Sequence, residues 1–365
     1  MIIVDHPSRQ RILELTQPFP KVALTQGPTP LEFMPNLSRH LGVTSYIKRD
    51  DCTGLALGGN KARQLEFHFG EARRRSADTI LITGAVQSNY VRMAAAAARK
   101  CGMDCHIQLE HRVPHTDESY KHSGNVLLDR LFGATVYEYP EGEDEHGADR
   151  SLERIAASLS AAGRHPYIIY LGPDRPPIGA LGYVLAAREI LDQRDRMGIR
   201  FNRIVVASGS AHTHTGLLLG LRIAEDETAV TGICVRRNAV LQRDRVQRCA
   251  AKLEDLLALR KTITEADIDV RDEVLAPGYG RVNEAVLGAM RMAASHEGLL
   301  LDPVYSGKAM AGLVYGLRSG AIPPSESILF LHTGGAPALF AYQSIIEQAL
   351  RDPTASADTG TSGLT

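Results

Sequence analysis

Of the eight lysines in the chain, Lys61 is the one whose setting points to chemistry. It follows Gly58-Gly59-Asn60 and opens the helical pattern Lys61-Ala62-Arg63-Gln64-Leu65-Glu66-Phe67. A glycine pair lets the backbone turn tightly and approach a ligand closely, and Asn60 is predicted to cap the helix that follows. An amine held on such an element suits a Schiff-base lysine, whose nucleophilicity depends on desolvation or neighbouring charge. A helix-start lysine in solvent is the alternative on local sequence alone.

A second stretch, Ile204-Val205-Val206-Ala207 running into Ser208, Gly209, Ser210, Ala211, His212 and Thr213, is an apolar strand entering small and hydroxylic residues and then a helix. Unsatisfied N–H groups at a helix start favour an anion, so the pattern predicts a phosphate cradle. An ordinary strand-to-helix turn satisfies it too, and it is neither a Walker loop nor a GxGxxG loop. No carboxylate or cysteine spacing accompanies His212-x-His214, so no metal is expected. Gln87-Ser88-Asn89-Tyr90 follows another apolar strand and opens a helix, where a carboxylate would dock or where Ser88 simply caps. Tyr279 and Tyr305 each sit in turn-forming surroundings suited to proton handling, and Thr333 ends an apolar strand before two glycines.

The elements that must hold these residues alternate. Strand patterns at 79–83, 105–109, 135–139, 167–171, 203–207, 230–235 and 328–332 are interleaved with helical ones, which predicts an α/β fold with mostly parallel sheets and helices on both faces. No Pro-, Gly- or Ser-rich linker divides two series, so the domains are expected to interrupt one another: a large domain from 1–60 and 178–350, a small one from 61–177, and a disordered tail at 351–365. The opening is read as irregular, Glu141 to Glu145 as a solvated loop, and Arg236, Arg237, Arg243, Arg245 and Arg248 as a solvated face. With 365 residues, 44% hydrophobic and a formal net charge of −1, the chain can bury a large core and has no broad basic field for nucleic acid. No run approaches the ~20 apolar residues of a membrane span, and the start lacks a secretory layout, so a cytoplasmic protein is expected. The five cysteines show no CxxC spacing and support neither a disulfide framework nor a zinc site.

Taken together the segments resemble the fold-type II pyridoxal-phosphate enzymes of the D-cysteine desulfhydrase, 1-aminocyclopropane-1-carboxylate deaminase and L-cysteate sulfo-lyase family. The resemblance is carried in order by Thr29-Pro30-Leu31-Glu32, Ile47-Lys48-Arg49-Asp50-Asp51, Gly58-Gly59-Asn60-Lys61, Gln87-Ser88-Asn89, Gly179-Ala180-Leu181-Gly182-Tyr183, Ala207 to Ala211, Pro277-Gly278-Tyr279-Gly280, Asp302 to Lys308 and His332 to Pro337. It implies two three-layer α/β/α domains, pyridoxal 5'-phosphate carried on Lys61, its phosphate on Ser208 to Thr213, its ring hydroxyl at Asn89 and its ring nitrogen at Thr333. It also implies a small amino-acid substrate whose carboxylate meets Ser88 and Asn89, with Tyr90, Tyr279 and Tyr305 around it and Lys61, Ser88, Tyr279 and Tyr305 as the catalytic set, in a homodimer. A neutral hydroxyl at the ring nitrogen favours β-elimination over transamination. The deaminase branch is similar to a pattern with glutamate after the second tyrosine; Ser306 stands here, against cyclopropane ring opening.

Three departures fall in the expected pocket loops: Tyr90 where desulfhydrases usually carry histidine, His212 where the phosphate loop usually has glycine, and Gly172-Pro173-Asp174-Arg175-Pro176-Pro177 in place of Gly-Gly-Ser. His212 is expected to add bulk and charge at the phosphate. Arg175, if it points inward, would favour a substrate with a second anionic group; facing solvent, it only stiffens its loop. A protein that binds a phosphate ligand without catalysis would need the cradle alone, which leaves Lys61 as the discriminating residue.

Overall fold

A computed structural model describes residues 6–114, 117–172 and 174–351; the predicted tail beyond Arg351 and Pro173 of the third departure lie outside the described residues. Among the described residues ten strands form two sheets. The larger has the order β1 (Leu31–Phe33), β2 (Ser45–Arg49), β10 (Ile328–His332), β7 (Arg203–Ser208), β8 (Ala229–Cys234), β9 (Asp269–Arg271); the smaller has the order β5 (Thr135–Tyr139), β4 (Asp104–Glu110), β3 (Thr79–Ala85), β6 (Pro166–Ile169). Every pairing is parallel except the edge pair of β1 with β2.

Alternation along the central strands explains how the larger sheet is covered on both faces. Ile204 and Val206 of β7, with Leu329 and Leu331 of β10, enter one apolar cluster with the helices Leu181–Met197 and His212–Ile223. Val205, Ile328 and Phe330 point the other way, onto Glu284–Glu297 and Ser306–Arg318. That two-residue period is what a sheet buried on both sides imposes. In the smaller sheet β3 is buried throughout. The alanine-rich helix Asn89–Cys101 packs against it, with the Ser88 hydroxyl accepting from the Val91 N–H at 3.3 Å as an N-cap.

Several expectations need correction. The opening is not irregular: Pro7–Thr16 is a helix, begun by a proline whose missing N–H costs nothing at a first turn. Asn60 caps nothing, because its backbone is already helical and its side-chain amide donates to Thr213 Oγ1 at 3.0 Å. Arg351 closes the helix Gln343–Arg351 instead of opening a tail. The acidic run ends in the first residue of the helix Glu145–Ala161, with Asp144 as its cap.

The helix Lys61–Arg74 is fixed at its start by buried charge. Asp50, fully buried, accepts from Arg63 Nε at 3.0 Å and Nη2 at 2.9 Å, from the Thr29 hydroxyl at 2.7 Å and from the Tyr183 hydroxyl at 2.5 Å. Arg63 also meets Glu189, which takes Lys48 Nζ as well. Burial works to raise the Asp50 pKa, but the Arg63 guanidinium outweighs it and brings the carboxyl down to about 2 from an ordinary 3.8. A depressed carboxylate pKa stabilises the fold above its unfolded value and is lost as pH falls through the folded one. Asp50→Ala therefore leaves Glu189 as the one counter-charge for both Arg63 and Lys48 in the interior and is expected to cost about 3–5 kcal/mol. Urea unfolding of both proteins at pH 7 measures this, and the difference should narrow as the pH is taken from 4 towards 2; a loss below about 1 kcal/mol would show that Glu189 alone neutralises Arg63.

Candidate active site

The turn before Lys61 is built by close approach. Gly58 has φ +69°, and a Cβ there would fall 1.7 Å from the Asp51 carbonyl oxygen, so only glycine fits. The Thr53 hydroxyl bridges both polar groups of Gly59, accepting from its N–H and donating to its carbonyl at 2.9 Å each, and the Asn60 N–H donates to the Thr333 carbonyl at 3.1 Å. Lys61 emerges into a pocket between the two sheets with its Nζ 4.8 Å from the centre of the Tyr90 ring. Burial lowers its pKa to about 8, so a far larger share of the amine is neutral near pH 7 than at an exposed lysine. A neutral amine is what attack on an aldehyde requires.

The loop after β7 lies across the same pocket. Gly209, Ser210, Ala211 and Thr213 line it at the start of the helix His212–Ile223, and a Cβ at Gly209 would come to 3.0 Å of Val235 Cγ2. Thr213 is tied to the lysine helix, its hydroxyl taking hydrogen bonds from Asn60 at 3.0 Å and Gln64 at 2.8 Å. Two residues of the predicted cradle are not in the lining. Ser208 is buried behind it, bonded to His214 Nδ1 at 3.2 Å and Gln242 Nε2 at 2.9 Å. His212 is buried too, and burial, reinforced by nearby His68 and Lys61, pushes its pKa well below the usual value. Both effects disfavour a charge on it, against the expectation of added charge at the phosphate.

Opposite the loop, Ser88, Asn89 and Tyr90 line the pocket at the start of the alanine-rich helix. Asn89 Oδ1 accepts from Asn125 Nδ2 at 3.0 Å, which orients the side-chain N–H groups of Asn89 for another acceptor. The Tyr90 hydroxyl is buried with no hydrogen-bond partner among the described residues. Tyr279 and Tyr305 share a hydrogen bond of 2.7 Å between their hydroxyls. Burial raises the pKa of both; the Arg112 cation pulls Tyr279 back, whereas Tyr305 stays well above the ordinary value. Thr333 completes the lining beside the glycine turn. The predicted residues thus converge from both sheets, apart from Ser208 and His212.

The pocket also holds residues that the sequence reading placed in solvent or passed over. Arg236, Arg237 and Arg245 line it and converge on Glu145, which reaches them from the smaller sheet's side. Burial works to raise the Glu145 pKa, but Arg245, Arg237 and Arg236 together bring it to about 2. Both solvated readings, of the acidic run and of the arginine series, are corrected at these residues, whereas Arg248 is half-exposed and pairs with Asp244 at 2.9 Å. Arg112, unremarked in sequence, lines the pocket with its guanidinium 5.7 Å from the Tyr279 ring centre. Arg175 faces outward, paired with Glu153 at 2.9 Å and stacked on Tyr170. The signal for Arg112 and Arg236 is position: each follows the carboxyl end of a parallel strand, where ligands of α/β sheets bind. Among the described residues no group of three or more His, Cys, Asp or Glu converges to hold a metal, and no helix is long and apolar enough to cross a membrane.

A buried amine and a helix start with a glycine-tight loop, lining one pocket, fit an aldehyde that carries a phosphate. Known proteins agree. A family model described as pyridoxal-phosphate dependent enzyme matches residues 22–334. The chain is 45% identical over 324 residues to the D-cysteine desulfhydrase of Serratia proteamaculans (strain 568), covering 89% of this chain and 96% of that protein. It is 44% identical, with the same coverage, to the D-cysteine desulfhydrase of Salmonella newport (strain SL254). A crystal structure of an ACC deaminase homologue superposes with a TM-score of 0.82 at 36% identity, covering 92% of this chain and 98% of that one. The processed form of threonine deaminase isoform 2 from Solanum lycopersicum shares the fold at 16% identity, with a TM-score of 0.64 and 94% coverage of each chain. The chain therefore belongs to the pyridoxal-phosphate-dependent enzymes, in their fold-type II branch.

Proposed function

We propose that the protein is a lyase that eliminates the β-substituent of a small amino acid, with D-cysteine as the reference substrate, which with one water gives pyruvate, ammonia and hydrogen sulfide. The observation that carries this reading is the desolvated amine of Lys61 sharing one pocket with a tyrosine hydroxyl pair and with the loop that opens the helix His212–Ile223. A protein that only held a phosphate would need the loop and not the amine.

Bound at Lys61, pyridoxal phosphate supplies the electron sink that lets the Cα–H bond of an amino acid break. The chain's residues do the rest. Gly209, Ser210, Ala211 and Thr213 hold the phosphate, with Ser208 and His212 supporting the loop from behind; Asn89 meets the ring hydroxyl and Thr333 the ring nitrogen. The substrate carboxylate sits at the N–H groups of the helix Asn89–Cys101. There the Ser88 hydroxyl, whose oxygen already accepts from Val91, has its proton to donate, and so has the Asn89 amide. Lys61 Nζ takes the Cα proton. Tyr279 and Tyr305 hand a proton along their 2.7 Å hydrogen bond to the departing sulfur. The face of Tyr90 closes the pocket over Lys61 and keeps water from the amine.

The chain divides into a large domain of residues 1–60 and 178–350 and a small one of 61–177, a division supported by sheet membership: β3 to β6 all fall within the small segment. We place the protein in the cytoplasm, consistent with five free cysteines. A homodimer is supported by exposed Leu127, Leu131 and Phe340 on two short helices in mutual contact. Sedimentation equilibrium at tens of micromolar should return twice the chain mass, and a monomer there would sink the dimer.

Lys61→Ala is expected to lose both the visible absorption of bound cofactor and pyruvate release from D-cysteine; multiple turnover without added amine would remove Lys61 from its role. Tyr279→Phe and Tyr305→Phe should each slow kcat by the ~10²–10⁴-fold typical of losing an acid-base partner. If kcat is unchanged in both, the tyrosines only pack.

A further inference from the structure

Four arginines line the pocket, and they differ in what their nitrogens are engaged with. Arg236, Arg237 and Arg245 converge on Glu145 and also reach backbone oxygens: Gly142 for Arg236, Gly209 for Arg237, and Ser210 and Leu171 for Arg245. Arg112 is engaged differently. Its Nε and Nη2 both donate to one oxygen of Glu110, Oε2, at 2.9 and 2.6 Å, and no described residue takes its Nη1. Glu110 is 1% exposed, and its other oxygen accepts from the Thr83 hydroxyl at 2.8 Å, so the carboxylate cannot turn and the guanidinium is held in one orientation. The guanidinium carbon lies 5.7 Å from the centre of the Tyr279 ring, and both residues line the pocket together with Tyr305.

Resting on the reading that Tyr279 and Tyr305 mark the substrate end of the pocket, we propose that Arg112 is a specificity-determining residue. Its Nη1 edge receives an anionic group at the end of the substrate side chain, a sulfonate or carboxylate, while Ser88 and Asn89 hold the α-carboxylate. A fixed guanidinium edge suits such an oxyanion, and its orientation is set before the ligand arrives. The role considered for Arg175 falls instead to Arg112, because Arg175 is half-exposed and bound to Glu153 on the outer surface. Glu110 neutralises the charge of Arg112 without occupying Nη1, so small neutral side chains are still admitted and the discrimination is one of preference.

Two non-reactive ligands that differ only at the far end, 3-sulfopropionate and propionate, read this site without turnover. Calorimetric titration of the holoenzyme should show 3-sulfopropionate binding at least tenfold tighter than propionate. Arg112→Gln should bring that ratio close to one. Arg112→Lys, which keeps Glu110 paired but loses the planar fork, should lower it severalfold and serves if the glutamine variant does not accumulate. Arg175→Ala should leave it as in the parent. An equal affinity for the two ligands in the parent, or a ratio that survives both Arg112 variants, overturns the proposal. Failure of the elimination reading would show separately, as absence of pyruvate from D-cysteine in an enzyme whose ligand ratio is intact.

Discussion

The arrangement depends first on charge taken out of water. Asp50, Arg63, Lys48 and Glu189 form a network in which each ion is buried or nearly so and each has more than one partner. Ions in a low-dielectric interior are tolerated only with such partners, and a network leaves little freedom in where each backbone segment lies. Here the segments are the strand before the lysine turn, the first turn of the lysine helix and the helix Leu181–Met197. Lys61 is two residues from Arg63, so the place of its amine is set by electrostatics on the far side of the helix start, and no charged partner is needed inside the pocket. That separation is what allows the amine to be desolvated and held still at once.

A second consequence concerns polarity inside the pocket. Its walls are hydroxyls, amides and guanidinium groups, and most of them are oriented by a neighbour: Asn89 by Asn125, Thr213 by Asn60 and Gln64, Tyr279 by Tyr305, Arg112 by Glu110, and the other three arginines by Glu145 and backbone oxygens. Dipoles fixed in this way stabilise developing charge without reorganising. One exception is the Tyr90 hydroxyl, buried with no described partner, and it belongs to the residue whose ring covers the lysine.

What was legible in the sequence was what local pattern controls. The two-residue period of Ile204 and Val206, the apolar strand Ile328–His332 and the glycine turn before Lys61 all announce themselves within a few residues. The opening helix was hidden by its low hydrophobicity. The arginine series shows the limit most clearly. Arg245 and Arg248 sit in one helix among similar neighbours, yet Arg248 is in solvent beside Asp244, while Arg245 is buried because Glu145 arrives from 100 residues away. No local pattern contains that partner. Ser208 and His212 failed for a related reason: a strand-to-helix loop shows which residues lie at the turn, but not which side chains face the ligand and which face the core.

The helix behind Lys61 has an evolutionary consequence. Every residue from Ala62 to Ala72 is buried, with Phe67 packed in the core of the larger sheet and Leu65 and Phe69 in that of the smaller. A helix between two cores has no outer face on which substitutions can accumulate cheaply, since any change of volume is felt on one side or the other. Selection for a new substrate could therefore not work through the element that carries the amine. It would be confined to the ends of strands and the loops beyond them, at positions such as 112, 145 and 236, which belong to neither apolar core.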